Sequence, residues 1–484
     1  MAGQDKPPEL PSLWAEICFV IVCSMGQLLF AIFLANTLVN QLTLVSALGI
    51  SSSLSPWLVG SFLLANGISV VVSGSLADLV NPKWLIVGAF AWLTIWNLVG
   101  VFSITPSLMV LFFFVRSMQG LAVGVLESAA MSILGRVYKP GQRKNQVFSL
   151  MSAMIPMGFG IGALQGGAFS AHLQWVFAST AILSLFCTLA AFCTVPQLKP
   201  SVSDQTGEPL SIKHFDYLGA GVGMCGCGVL IFGLTQGAPT DWTPYTYALV
   251  IVGVLFFVAF YVIERRASRP LIEHRLWKTP GFVPLIVSYF LDYESFVGGW
   301  MFYAVRLFLT IQGRSPIITA CYLLPITFAG VIASWIVART LHLLPGHYIL
   351  ITSMVAFSLG PVFFLPQTVK TTYWALSFPG IILSTFGPDL SFAAASIFIT
   401  SNVLRSFQGA AGSLIITAQN LSSAIFTAVG DTIGEKVTHA EGYSLDLHAL
   451  RAIWWFSFGT ALLGALICAA LVRISKSEEK EHVH

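Results

Sequence analysis

Runs of about twenty apolar residues recur along the whole chain, separated by short polar or turn-forming stretches. A helix of that length spans the hydrocarbon core of a bilayer. Fourteen such helices are predicted, at 17–38, 56–76, 84–102, 107–126, 147–169, 175–195, 217–234, 246–263, 282–302, 315–337, 347–365, 373–398, 408–429 and 452–472. The longest polar interruption, 196–216, is rich in Pro, Ser, Asp, Gln and Gly, and a second, basic one occupies 264–278. Together they divide the spans six, two and six. The expected organisation is therefore an N-terminal six-helix bundle (1–195), a linker with two extra spans (196–278) and a C-terminal six-helix bundle (279–484). The chain reads as an all-α polytopic membrane protein of about fourteen transmembrane helices.

Composition strengthens this reading, because 56% of residues are hydrophobic and 9% charged, against roughly 25% charge in soluble domains. Residues 1–13 are short, polar and proline-containing, so the first span is expected to be retained and not cleaved as a signal. Basic residues orient the spans. With both termini in the cytoplasm, eighteen Lys and Arg fall in inner loops, among them Lys83, Arg136, Arg143, Arg265 and Arg473. Five (Arg306, Arg314, Lys370, Lys436 and Arg451) fall in outer loops, which is the positive-inside bias. Trp14, Trp57, Trp84, Trp175, Trp277 and Trp374 stand near predicted span ends, as interfacial anchors do.

All eight cysteines lie within apolar runs and read as small apolar packers, not disulfides or metal ligands. The sequon Asn420-Leu421-Ser422 falls inside a span and is expected to be unused. With no P-loop, no metal-spaced His/Cys cluster and no nucleophile elbow, an enzyme, a cofactor and ATP drive are all disfavoured. The net charge of +3 gives no sign of a nucleic-acid partner. The expected partners are the lipid bilayer, a small-molecule substrate and protons, with no obligate protein partner evident.

Candidate chemistry comes from the polar and glycine positions inside the spans. Gly158, Gly162 and Gly166 recur every four residues, with Gly167 beside them, and make a side-chain-free helical stripe. Ordinary close helix packing and a transport role are both open for it. Arg116 sits at mid-span, where insertion costs about 2.5–3.5 kcal/mol. It is either a functional charge or a structural tie to backbone carbonyls. Glu127, three turns and roughly 16 Å further along, is too far to pair with it. Glu127 is either a second functional charge or merely interfacial. Asp292 and Glu294 are two residues apart, so they project from different sides of an α-helix and only one faces a central cavity. Asp389 follows Gly387-Pro388 in a span also expected to break at Pro379-Gly380; it is either part of a substrate site or at that helix's inner end. Gln27, Asn36 and Asn40 offer neutral hydrogen bonds, to substrate or to neighbouring helices.

The stripe Gly158-x-x-x-Gly162-Ala163-x-x-Gly166-Gly167 resembles the fifth-span antiporter motif of major facilitator superfamily exporters, Gly-x-x-x-Gly-Pro-x-x-Gly-Gly. Ala163 replaces the proline, and Pro156, two turns earlier, offers a bend instead. Gly74-Ser75-Leu76-Ala77-Asp78-Leu79-Val80-Asn81-Pro82-Lys83 resembles the superfamily's loop motif at Gly74, Leu76, Ala77, Asp78 and Lys83. Leu79 and Pro82 replace two arginines there, and Asn81 replaces the turn glycine, a place where left-handed geometry is expected. Arg116-Ser117-Met118-Gln119-Gly120 resembles the Arg-x-x-Gln-Gly signature, implicated in the family in proton coupling.

Fourteen spans with these motifs resemble the fourteen-span drug:proton antiporters. Pro56-Trp57-Leu58-Val59-Gly60-Ser61-Phe62 looks closest to fungal aminotriazole-resistance and boron-efflux transporters. Some low-affinity ammonium transporters are also similar, as are self-protection pumps of fungal secondary-metabolite clusters. In Leu34-Ala35-Asn36-Thr37-Leu38-Val39-Asn40, Ala35 stands where the family's first-span motif usually has aspartate, which directs attention to Asp292 or Glu294 as the proton carrier. The resemblance implies proton-coupled efflux of a small toxin, drug or secondary metabolite across the plasma membrane. Uptake or facilitated passage of ammonium or borate is the alternative, and a transport-dead nutrient sensor a remote one.

Overall fold

The computed structural model describes residues 10, 12–138, 142–198, 212–237, 240–267, 270–272, 274–340, 344–403, 408–438 and 446–474. The helices that follow the apolar runs are α1 (Leu13–Val39), α2 (Pro56–Leu79), α3 (Pro82–Phe102), α4 (Met109–Val137), α5 (Gln142–Ala168) and α6 (Gln174–Thr194). Then come α7 (Tyr217–Gly237), α8 (Pro244–Glu264), α9 (282–311), α10 (316–340), α11 (Gly346–Phe364), α12 (373–402), α13 (Gln408–Thr438) and α14 (Leu447–Leu471). Their ends carry the expected chemistry. Ser12 Oγ and Asp446 Oδ1 accept from Ala15 N and Ala449 N, capping α1 and α14. Proline opens α2, α3 and α8, where a missing N–H costs nothing.

Thirteen helices among the described residues are long and apolar enough to cross a bilayer. The remaining predicted span, α9, is one helical path of alternating character: α-helical Phe282–Tyr293 and Phe302–Arg306 alternate with π-helical Glu294–Met301 and Leu307–Ile311. Three helices outrun their predicted ends by nine residues or more, where polar residues at those ends are buried against neighbours. α4 continues to Val137, α13 to Thr438, and α9 to Ile311, which puts Arg306 inside a helix and not in an outer loop. α12 is π-helical at Tyr373–Ser377 and α-helical from Phe378 to Asn402, so neither expected break interrupts it: Pro379 falls in the first turn of the α-helical part and Pro388 is absorbed in its interior.

The first bundle packs α2 on α4, α1 on α5 and α3 on α6; the second packs α11 on α12 and on α14, with α9 against α13 and α14. The two meet along α2–α13 and α5–α10. The α7–α8 hairpin lies outside this pair of bundles, touching α2 and α13, with Trp57 and Phe232 rings 5.7 Å apart. α8 turns Ile251, Leu255, Val258 and Tyr261 outward, as a lipid-facing helix must. Where α7 turns into α8, Lys436 of α13 meets Asp241 at 2.6 Å and holds that carboxyl below its usual range. Trp14, Trp84, Trp175, Trp277 and Trp374 are exposed at helix ends. All eight cysteines are free; Cys23, Cys187, Cys227 and Cys468 are buried packers, while Cys18, Cys193, Cys225 and Cys321 are exposed.

Candidate functional site

Arg116 is the centre of the first bundle. It is 1% exposed, and no carboxylate among the described residues faces it. Nε donates to the Leu58 carbonyl at 3.2 Å, Nη2 to the Phe33 carbonyl at 3.1 Å and Nη1 to Gln119 Oε1 at 2.8 Å. Its Cζ lies 4.9 Å from the centroid of the Phe62 ring. Gln119 passes the link on, donating to Asn97 Oδ1 at 2.9 Å, which also accepts from Thr180 Oγ1 at 2.8 Å. One guanidinium thus ties α1, α2, α3, α4 and α6. Gly120 lets this happen by bringing α4 onto the Phe62 carbonyl and Asn66 N of α2. A cavity of about 10 Å³, the room of one water, adjoins Arg116, Gln119, Asn36, Thr37, Asn40 and Thr180.

The glycines of α5 face two ways. A Cβ on Gly162 would sit 2.5 Å from Ile32 Cα, and one on Gly166 2.8 Å from Asn36 Cα; Gly158 abuts the Leu28 carbonyl. These three seat α5 on α1 at a four-residue spacing on both helices. Gly160 instead meets Thr327, and a Cβ on Gly167 would lie 2.8 Å from Ile317 Cα, so they seat the same helix on α10 of the other bundle. Asn40 Nδ2 donates to the Asn36 and Gly166 carbonyls, and Asn36 to Gln165 Oε1 at 3.2 Å. Both asparagines are therefore engaged in tying α1 to α5. Gln27 is buried on α1.

Glu127 is buried, not interfacial, since α4 continues well beyond it. Asn66 Nδ2 donates to its Oε2 at 3.2 Å, and Asn66 Oδ1 accepts from Asn420 Nδ2 at 2.7 Å. The chain Glu127–Asn66–Asn420 crosses from α4 through α2 to α13 and so joins the bundles. Thr417 Oγ1 donates to the Gly67 carbonyl at 2.7 Å one turn away. Asp389 also stands between bundles: its Oδ2 and Pro156 Cβ both lie within 3.0 Å of the position a Cβ on Gly330 would take. It sits mid-way along α12, not at the helix's end.

Asp292 and Glu294 are placed otherwise than their spacing predicts. Both carboxylates contact α14. Asp292 packs against Gly464, with neither oxygen hydrogen-bonded, while Glu294 accepts from Ser457 Oγ at 3.3 Å and from Thr460 Oγ1. Neither meets the first bundle.

The loop motif is present with altered contacts. Gly74 brings α2 beside Ser413 of α13, whose Oγ would lie 2.7 Å from an added Cβ. Asp78 falls in the last turn of α2, and its side chain lies outside the described residues. Asn81 is extended (φ −70°, ψ 116°) and not left-handed, because it serves as N-cap of α3, accepting from Lys83 N at 3.1 Å. Lys83 Nζ stands 5.5 Å from the Phe192 ring centroid on α6.

Asn66, Asn97, Thr180 and Asn420 were not legible as site residues. The one available signal was an amide within an apolar run, where an unpaired polar group is costly.

A family model described as the Major Facilitator Superfamily matches residues 21–427. The chain belongs to that superfamily. It is 30% identical to the low affinity ammonium transporter of Saccharomyces cerevisiae, over 99% of this chain and 92% of the relative. It is 30% identical to efflux pump terJ of Aspergillus terreus (94% and 88%) and 28% to the aminotriazole resistance protein of Saccharomyces cerevisiae (96% and 85%). The solved D-xylose-proton symporter shares the fold at a TM-score of 0.66 with 14% identity, covering 96% of this chain and 99% of that one. This Major Facilitator chain is a membrane transporter, and the expected resemblance to fungal aminotriazole-resistance and efflux transporters is found.

Proposed function

We propose that the chain is a proton-coupled exporter of small organic molecules, working by rocking its two bundles about α5. The observation that carries this reading is the two-faced packing of that helix. Gly158, Gly162 and Gly166 fix it to α1, whereas Gly160 and Gly167, with Pro156 set against Gly330, bring small residues to α10. A face of small residues permits close backbone contact with little interlocking, which suits two bodies that slide. Proton coupling, in this reading, belongs first to the carboxylates that change neighbours as the bundles part. Those are Asp389, beside Pro156 and Gly330, and Glu127, which reaches α13 through Asn66. Asp292 and Glu294, held against α14 of their own bundle, come second.

The charge bias supports both termini in the cytoplasm, and the name of the efflux-pump relative supports export. Epitope tags at each terminus of intact cells test the orientation: both should resist external protease. The transport test uses purified protein in vesicles loaded at low pH, with labelled aminotriazole outside and protein-free vesicles setting the level of weak-base trapping. Wild type should accumulate the probe above that level, and Asp389→Asn should only equilibrate it. Uphill transport undiminished in Asp389→Asn, Glu127→Gln and Asp292→Asn alike would remove the carboxylate mechanism. The similarity to an ammonium transporter favours a second reading, facilitated passage. Gradient-independent methylammonium flux with no proton movement would establish that reading instead.

A further inference from the structure

Arg306 is a buried charge with no part in the site above. It ends the short segment Phe302–Arg306 of α9, between two π-helical stretches, and is 4% exposed. Among the described residues its guanidinium meets no carboxylate. Nε donates to Gln41 Oε1 at 3.4 Å, and Nη2 donates to the Ser52 carbonyl at 3.3 Å and to Ser55 Oγ. Its Cζ lies 5.5 Å from the Phe302 ring centroid. All three acceptors belong to the connection between α1 and α2, in the opposite bundle. Gln41 answers by donating Nε2 to the Phe302 carbonyl at 3.3 Å. The tie is thus reciprocal, and it closes the molecule at the end away from Lys83, Arg143 and Arg473.

A guanidinium in a buried setting is tolerated when its donors are matched, and parting the bundles would strip it of every acceptor at once. Its fixed fork suits several neutral acceptors held at fixed angles, which a single ammonium cannot match. The π-helical stretches on both sides are of the kind that concentrates at functional positions. We propose that Arg306 is the latch of the transport pathway at the end away from the basic loops, with Gln41 and Ser55 as its catch. It is a positioning residue: it sets how much of the population is closed at that end and touches no substrate. This inference rests on the rocking reading, and the exporter reading names the end as outer.

The test is a distance measurement on the full chain in lipid nanodiscs, with the native cysteines replaced. Nitroxides at Ser51→Cys and Ser315→Cys, exposed positions on either side of the tie, report the separation of the bundles by double electron–electron resonance. Arg306→Ala should shift the closed-to-open ratio by roughly tenfold, the effect of losing one charge-assisted hydrogen bond or more. Arg306→Lys should fall between. The pair Gln41→Ala with Ser55→Ala removes the catch without touching the arginine, and should shift the same ratio in the same direction. A control pair within the first bundle, Ser51→Cys and Ser107→Cys, should keep its distance throughout. A distribution unmoved by both the arginine and the catch variants overturns the latch, and so does movement of the control pair, which marks loosening of the bundle itself. The measurement needs neither substrate nor proton gradient. Failure of uphill transport in vesicles therefore leaves it standing, while a fixed distance in a chain that exports overturns the latch alone.

Discussion

At Arg116, a charge in mid-membrane is held by carbonyl dipoles and an amide. The usual first-span aspartate is Ala35 here, and the guanidinium turns instead to the Phe33 and Leu58 carbonyls and to Gln119. Removing it takes a charged donor from all three; the Phe33 carbonyl keeps Thr37 Oγ1, while Gln119 Oε1 is left buried without its donor, at about 1–3 kcal/mol. Arg116→Ala should therefore lower the thermal midpoint of the purified protein and also reduce transport to background. Arg116→Lys should keep part of the stability and little of the transport, because one ammonium cannot reach acceptors on α1, α2 and α4 together. An alanine variant that melts and transports like wild type would leave the residue without a role. The carboxylates allow a sharper comparison. Asp292→Asn should cost less uphill transport than Asp389→Asn, since the first packs against Gly464 within its own bundle and the second lies beside Gly330, where α10 meets Pro156 of the first bundle. The reverse order, measured in the acid-loaded vesicles, would return the proton to α9.

The glycines of α5 make separate predictions for its two faces. On the α1 face, any side chain at Gly162 runs into the backbone of Ile32, and backbone cannot yield as a side chain can. Gly162→Leu should reach the membrane, fail to transport and melt earlier, because it separates two helices of one bundle. On the α10 face, Gly160→Ala meets the Thr327 side chain, which can turn away. That variant should melt like wild type while its turnover falls several-fold, reading out sliding and not folding. Equal losses of stability from both substitutions would show that α5 serves as packing alone.

Across the whole molecule, α2 and α13 are joined at their centre by Asn66–Asn420 and nearer the basic end by Gly74 against Ser413. If these helices must part for each cycle, a covalent bond there should stop it. A Gly74→Cys and Ser413→Cys pair, cross-linked with a short bifunctional reagent, should lose at least about tenfold in transport and recover it on cleavage of the linker. Transport that continues through the cross-link would mean that the bundles do not separate along this seam.

The apolar runs alone made the all-α membrane class and the approximate number of spans legible, since a bilayer demands a fixed length of apolar helix and satisfied backbone groups, and the motifs at Gly74–Lys83, Arg116–Gly120 and Gly158–Gly167 carried the resemblance to the superfamily. Arg116 and the glycine spacing at Gly158, Gly162 and Gly166 were legible for a related reason: their cost or their period stands out within a single helix. Helix ends and partners were not. Whether Glu127 closes a helix or lies inside one, and whether Arg306 belongs to a loop or a latch, depends on polar groups brought together from distant parts of the chain. That Asp292 and Glu294 both end against α14 is likewise invisible to a count of residues per turn. Only the tertiary structure decided which polar groups meet, because a buried hydrogen bond is specified by two positions in space and a sequence displays one at a time.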